Sequence, residues 1–154
     1  MYQEIKNKFL ENKFTEAINL ALKFHKDNKN DHYICFIIGE IYNKLNDPIS
    51  VEEYLLKAIK IKKEKKYFLT LGNLYLQLKK YNEAISSYKE SLFLDKHFAL
   101  AYNNIAYCYQ QLGDQKKSLK NILKAVQNDK MNHHYIYNLA NAYKEQDMLD
   151  EAEI

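Results

Sequence analysis

Four tyrosines set the frame for this chain: Tyr42, Tyr75, Tyr109 and Tyr143 follow one another at intervals of 33, 34 and 34 residues. Three residues before each stands a small one, Gly39, Gly72, Ala106 and Ala140, and directly before that an aliphatic one, Ile38, Leu71, Ile105 and Leu139. The same period returns downstream as Ala17, Val51, Ala84, Ser118 and Ala152, and again as Ala58, Ser91 and Ala125. Such self-similarity marks a stack of short supersecondary units, none of which can bury its apolar face alone. Within one period, Phe68, Leu71, Leu74, Tyr75 and Leu78 recur at helical three- and four-residue intervals, and Ala84, Ile85, Tyr88 and Leu92 do so again. Each unit is therefore a pair of helices. With 3 Gly and 1 Pro in 154 residues, the chain lacks the turn residues of an all-β sandwich, and 47% hydrophobic residues exclude disorder as the whole answer. Two cysteines do not make a secreted disulfide scaffold.

These columns resemble the tetratricopeptide repeat (TPR): an aromatic residue, then Leu-Gly, then Tyr on one helix, followed by Ala, a large residue and Ala on the next. The best copy carries Phe68, Leu71, Gly72, Tyr75, Ala84, Tyr88 and Ser91. The resemblance covers nearly the whole chain, with repeats at about 1–31, 32–64, 65–98 and 99–132 and a truncated one at 133–154. No repeat carries the family's closing Pro, and the first has a short first helix without the small-residue column. The resemblance implies an all-α, right-handed α-solenoid of antiparallel helix pairs, with the first helices lining a concave face. Gly39, Gly72, Ala106 and Ala140 are then the small residues that let paired helices approach, with Tyr42, Tyr75, Ala84, Tyr109 and Tyr143 as the other signature positions. Overfilling such a contact costs about 1–3 kcal/mol.

The turns are legible. Asp47-Pro48 sets an acidic cap before a Pro at the first helical position, and Gly113-Asp114 ends one helix before capping the next.

Most catalytic chemistry finds no support. Cys35 and Cys108 lie on different repeats without a CxxC; His133 and His134 are adjacent and so point apart; His25, His32 and His97 fall in or near connections. No HExxH, GxSxG or Gly-rich phosphate loop occurs. The expectation is a protein that is not an enzyme, with no metal and no cofactor. All 23 basic residues are Lys, so the side chain best suited to phosphate forks and guanine edges is missing. The run from Lys57 to Lys66, with six lysines and one Glu, reads as a solvated edge, and nucleic acid is not an expected partner. No apolar run long enough to span a membrane and no secretory leader pattern is present, which points to a cytoplasmic protein without membrane insertion.

What remains is a set of polar residues on the first helices. Asn104 and Asn138 share the sixth repeat position, Asn73 and Asn141 share the ninth, and Asn103 adjoins them, with Tyr107 and Tyr137 as neighbours. A carboxamide both donates and accepts, so a ladder of them can match the N–H and C=O of an extended peptide whatever its side chains. Two specialised resemblances meet at these positions. In the carboxylate clamp of chaperone-tail binders, Asn73 and Asn104 match, but Leu69, His134 and Asn138 stand where cations belong. The other is the asparagine ladder in the repeat arm of O-linked N-acetylglucosamine transferases, matched by Asn104 and Asn138 and broken by Ile37 and Thr70.

The expected function is a protein-interaction scaffold holding a protein or peptide segment on its concave face; the alternative is the substrate-recognition arm of a larger enzyme of that transferase kind. Because the array stops early in a helix, a longer parent protein or end-to-end self-association through the C-terminal repeat is also expected.

Overall fold

The computed structural model describes the backbone of residues 1–152 and the side chains of residues 1–145. Among the described residues it is helical throughout, with short turns: α1 (Tyr2–Leu10), α2 (Phe14–Asp27), α3 (His32–Lys44), α4 (Pro48–Ile61), α5 (Lys65–Gln77), α6 (Tyr81–Leu94), α7 (Ala99–Gln111), α8 (Gln115–Asn128) and α9 (His133–Ala152). The chain divides into two compact units, Met1–Leu74 and the remainder from Tyr75.

In the N-terminal unit the core is built on the small and aliphatic columns. Ile5, Ala17, Ala21, Ile34, Ile38 and Ile41 are fully buried together. Ile5 is the one buried residue of α1, and Tyr2 and Phe9 pack beside it on the same cluster. A second cluster joins Cys35, Ala58 and Tyr67 across α3, α4 and α5. In the C-terminal unit, Ala99 and Ala106 of α7 pack with Ile122 and Ala125 of α8 and Tyr135 of α9. Here Ser118 Oγ donates to the Ala106 carbonyl at 2.9 Å, which fastens α8 to α7 at the small-residue position.

The helix starts follow local chemistry. Asp31 caps α3 by accepting from the amides of Tyr33 and Ile34, and it also takes the Tyr2 hydroxyl, tying α1 to the same point. Asp47 caps α4 through the Ser50 amide at 3.1 Å with Pro48 in the first turn, and Asp114 caps α8 through the Lys117 amide at 3.0 Å. The stops are less expected: Gly113 has φ +75, but Asn12, Asn46 and Lys79 adopt the same left-handed conformation. Asn tolerates it through its short polar side chain, whereas Lys79 does so at a steric cost.

The structure revises the sequence reading at three places. First, Gly39 is not required as glycine. A Cβ placed there would lie 3.4 Å from Leu55 Cγ, 3.5 Å from Leu55 Cδ2 and 3.7 Å from the Val51 carbonyl oxygen, ordinary contacts that a methyl can make. Gly39→Ala is therefore expected to raise the unfolding free energy by about 0.5–1 kcal/mol, because it removes glycine's backbone entropy without a clash. Urea denaturation followed by helical circular dichroism measures this, and a loss of stability would show that the α3–α4 contact is already filled.

Second, the truncated repeat at 133–154, with Ala152 in the second-helix column, needs a turn before that residue, yet α9 runs unbroken from His133 to Ala152. The leucine that precedes the other turns, Leu45, Leu78 and Leu112, is replaced there by Gln146, and neither Gly nor Asn stands at position 147. Third, Ala140 and Tyr143 do not occupy a buried helix contact. Ala140 is exposed and Tyr143 is 45% exposed, as is Ile136 on the same face at 42%. Without a turn after Glu145, α9 has no antiparallel partner helix among the described residues to cover these columns. The side chain of Ala152 and the whole of Ile154 lie outside the described residues.

Candidate functional site: an asparagine-lined groove on α7 and α9

The C-terminal unit carries a groove of about 600 Å³ whose walls are the end of α5, the start of α6 and the exposed faces of α7 and α9. Asn103, Asn104, Tyr107 and Gln110 come from α7, His134 and Asn138 from α9, and Leu76 and Tyr81 supply apolar surface. A second cleft of about 350 Å³ shares Asn103, Tyr107, Gln110 and Asn138 with the groove and adds Asn141 and Glu145. Of the residues expected to bind a peptide, Asn103, Asn104, Tyr107 and Asn138 therefore line the groove, and Asn141 lines the adjoining cleft that shares three of them. The reason is helical: positions 103, 104 and 107 share one face of α7, and 138 and 141 share one face of α9.

Two expected members lie elsewhere. Asn73 is half-buried on α5 in the N-terminal unit, and Tyr137 is 65% exposed on α9 and lines neither depression.

The amides are linked to one another. Asn138 Nδ2 donates to Asn103 Oδ1 at 2.9 Å and approaches His134 Nε2 at 3.2 Å, a contact that requires the His134 ring to carry its proton on Nδ1. Asn103 Nδ2 reaches Asn104 Oδ1 at 3.4 Å, and Asn104 in turn hydrogen-bonds the hydroxyl of the fully buried Tyr88. Asn103, only 9% exposed, is thus a relay in the floor rather than a protruding contact. At the far end Gln110 Nε2 donates to both carboxylate oxygens of Glu145, at 2.9 and 3.1 Å. Sequence reasoning missed this pair, although the repeat length holds the signal. Asn103–Asn138 and Gln110–Glu145 are both 35 residues apart, one period plus one residue.

The remaining candidates are absorbed by packing. Both cysteines are buried, and desolvation raises each thiol above its ordinary value, Cys108 to about 11, so neither is a thiolate at neutral pH. Cys35 does have a histidine neighbour that spacing did not suggest, with His25 Nδ1 3.8 Å from its sulfur. Burial, with a contribution from Lys57, lowers the His25 pKa, so the two do not form a thiolate–imidazolium pair. His32 pairs with the Tyr67 hydroxyl and His97 with Asn128. No group of three or more His, Cys, Asp or Glu among the described residues could hold a metal ion. Within the basic run, Lys57 pairs with Glu53 at 2.6 Å, and Lys62 and Lys66 share Glu64 at 2.8 and 3.4 Å. No helix among the described residues is long and apolar enough to cross a membrane.

Comparison with known proteins agrees with this fold. No curated protein matches by sequence. Among solved structures, a crystal structure of MamA is 20% identical, covering 96% of this chain and 87% of that one with a TM-score of 0.86. YrrB, described as a TPR protein with an unusual peptide-binding site, is 14% identical, covering 93% of this chain and 74% of that one with a TM-score of 0.76. A thermophilic TPR protein of Thermus thermophilus, TTC0263, is 16% identical, covering 90% of this chain and 77% of that one with a TM-score of 0.73. At these identities the likeness is one of fold, an all-α superhelix of helix pairs. A tetratricopeptide repeat model matches residues 32–65 and 99–130, and a TPR repeat model matches residues 72–113. The matched segments together span more than half of the chain, which belongs to the tetratricopeptide repeat family.

Proposed function

We propose that the chain is a protein-interaction scaffold and that the α7–α9 groove holds an extended peptide by its backbone. The observation that carries this reading is the row of carboxamides Asn103, Asn104 and Asn138 along the groove, with Tyr107, 48% exposed, in its wall and Asn141 in the adjoining cleft. In the linked row Asn138 acts as a donor through Nδ2, and its oxygen remains outside those bonds as an acceptor for a peptide N–H. The peptide-binding site that YrrB is described as having supports this class of function for the same fold. Asn73 and Tyr137 join the proposed contact set by repeat register alone. The alternative of a substrate-recognition arm rests on the paired sixth positions Asn104 and Asn138 and would use the same backbone grip. End-to-end self-association is supported by the exposed Ile136, Ala140 and Tyr143 on α9, columns that are otherwise covered by a partner helix.

A peptide selected by display against the full chain tests the backbone grip. Asn138→Ala and Asn104→Ala are each expected to weaken its binding by about 1 kcal/mol, the net value of a hydrogen bond, while helicity is retained. N-methylation of the peptide backbone should weaken binding more than exchange of its side chains. Undiminished affinity in both variants would remove the groove from the reading.

A further inference from the structure

The N-terminal unit holds a cluster that the α7–α9 groove does not use. Tyr33 and Phe36 on α3 and Tyr67 on α5 surround the ammonium of Lys66, with ring centroids 5.0, 5.2 and 5.2 Å from Nζ. The walls are braced from behind. Phe36 and Tyr67 lie 4.8 Å apart with their planes 30° from parallel, the Tyr67 hydroxyl is held by His32 Nδ1 at 2.6 Å, and Tyr33 packs on Tyr2 at 5.5 Å. Tyr67 is fully buried. Glu64, 3.4 Å from Lys66 Nζ, adds a carboxylate to the cluster. Aromatic faces attract cations through their quadrupole, and several faces converging on one point select a single cationic group. Lys57, Lys124 and Lys117 each lie over one ring, Tyr54 at 4.3 Å, Tyr102 at 5.2 Å and Tyr109 at 5.3 Å, whereas Lys66 meets three.

The dimensions suit a larger cation than the one present. A nitrogen in direct contact with a ring would sit at an ordinary heavy-atom separation of roughly 3.5–4 Å. A methyl group between them adds a C–N bond of about 1.5 Å, which brings the nitrogen to roughly 5 Å from the ring. All three distances at Lys66 leave room for such a methyl shell; Lys124 and Lys117 keep a similar distance from one ring each, so it is the convergence of three rings on one point that sets this site apart. Lys66 is also loosely held, since its side chain is 45% exposed and it shares Glu64 with Lys62, which is closer at 2.8 Å. An exposed ion pair of this kind is easily exchanged.

We propose that Tyr33, Phe36 and Tyr67 form a binding site for a methylated ammonium group, and that Lys66 is its resident occupant, displaced when the ligand enters. The site is independent of the asparagine groove and would let the scaffold read a second chemical feature.

Tetramethylammonium chloride, titrated at constant ionic strength into the full chain and followed by the tyrosine ring signals in NMR, tests it. Lys66→Ala should bind at least tenfold more tightly than the unmodified chain, and Tyr33→Leu on that background should abolish the gain while helicity is unchanged. Equal concentrations of ammonium chloride should not compete. A short peptide with trimethyllysine that binds more tightly than tetramethylammonium assigns the ligand to a protein chain; equal binding assigns it to a free small cation. No gain in Lys66→Ala, a gain that survives Tyr33→Leu, or equal competition by ammonium would overturn the proposal.

Discussion

Tyr88→Ala is expected to lower the stability of the C-terminal unit by about 3–5 kcal/mol, the range for deleting a large buried aromatic side chain. Tyr88 on α6 is fully buried, and burial raises its phenol pKa despite a hydrogen bond from the Asn104 side chain. The substitution removes a ring from the core and also a partner of the amide row on α7, so it connects packing to the site. Tyr88→Phe separates the two effects: it keeps the ring, leaves Asn104 without that partner, and is expected to cost only about 1 kcal/mol. Equilibrium urea denaturation gives the totals. Amide hydrogen exchange on α6 and α7 shows where the loss falls, because repeat arrays can open locally rather than as a whole. If Tyr88→Ala and Tyr88→Phe were equally mild, the core around α6 would have collapsed into the space, and the tight packing described would be wrong.

Leu55→Ala should cost the N-terminal unit about 2–5 kcal/mol. Leu55 is fully buried, and its branch lies against the position that a Cβ on Gly39 would occupy. Because of that geometry the two sites couple. A methyl at residue 39 partly fills the space Leu55 vacates, so Gly39→Ala combined with Leu55→Ala should lose less than the two single changes predict by addition. A double-mutant cycle in urea measures the coupling. Strict additivity would mean that α3 and α4 do not meet at these residues.

The helix pairs could be read from the chain because their information is local and periodic. A small residue before each tyrosine, an apolar stripe at three- and four-residue spacing, and an Asp ahead of α4 and α8 are all written within a few residues of where they act. The two faces of the proposed site were legible to the same extent: helical geometry alone puts 103, 104 and 107 together, and 138 with 141.

What the chain did not disclose was how the polar groups are spent. Asn103 looked like one more ligand contact, yet it is buried and bridges Asn104 to Asn138. Gln110 and Glu145 were passed over, though they meet across α7 and α9. Lys66 looked like part of a charged edge, but three rings surround it. A carboxamide or an ammonium has the same composition whether it faces water or a neighbour one repeat away, so only the packed helices reveal its partner.

The sequence by itself therefore determined the repeat, the helix pairing and the family, since each follows from the periodic placement of small and apolar residues that must be buried. The tertiary structure alone decided three further matters: that glycine at position 39 is not a steric necessity, that α9 continues past the expected turn and leaves Ala140 and Tyr143 uncovered, and that Asn103, Asn104 and Asn138 form a linked row. Those depend on distances of a few tenths of an ångström and on contacts 35 residues apart, and neither is encoded in the identity of any single residue.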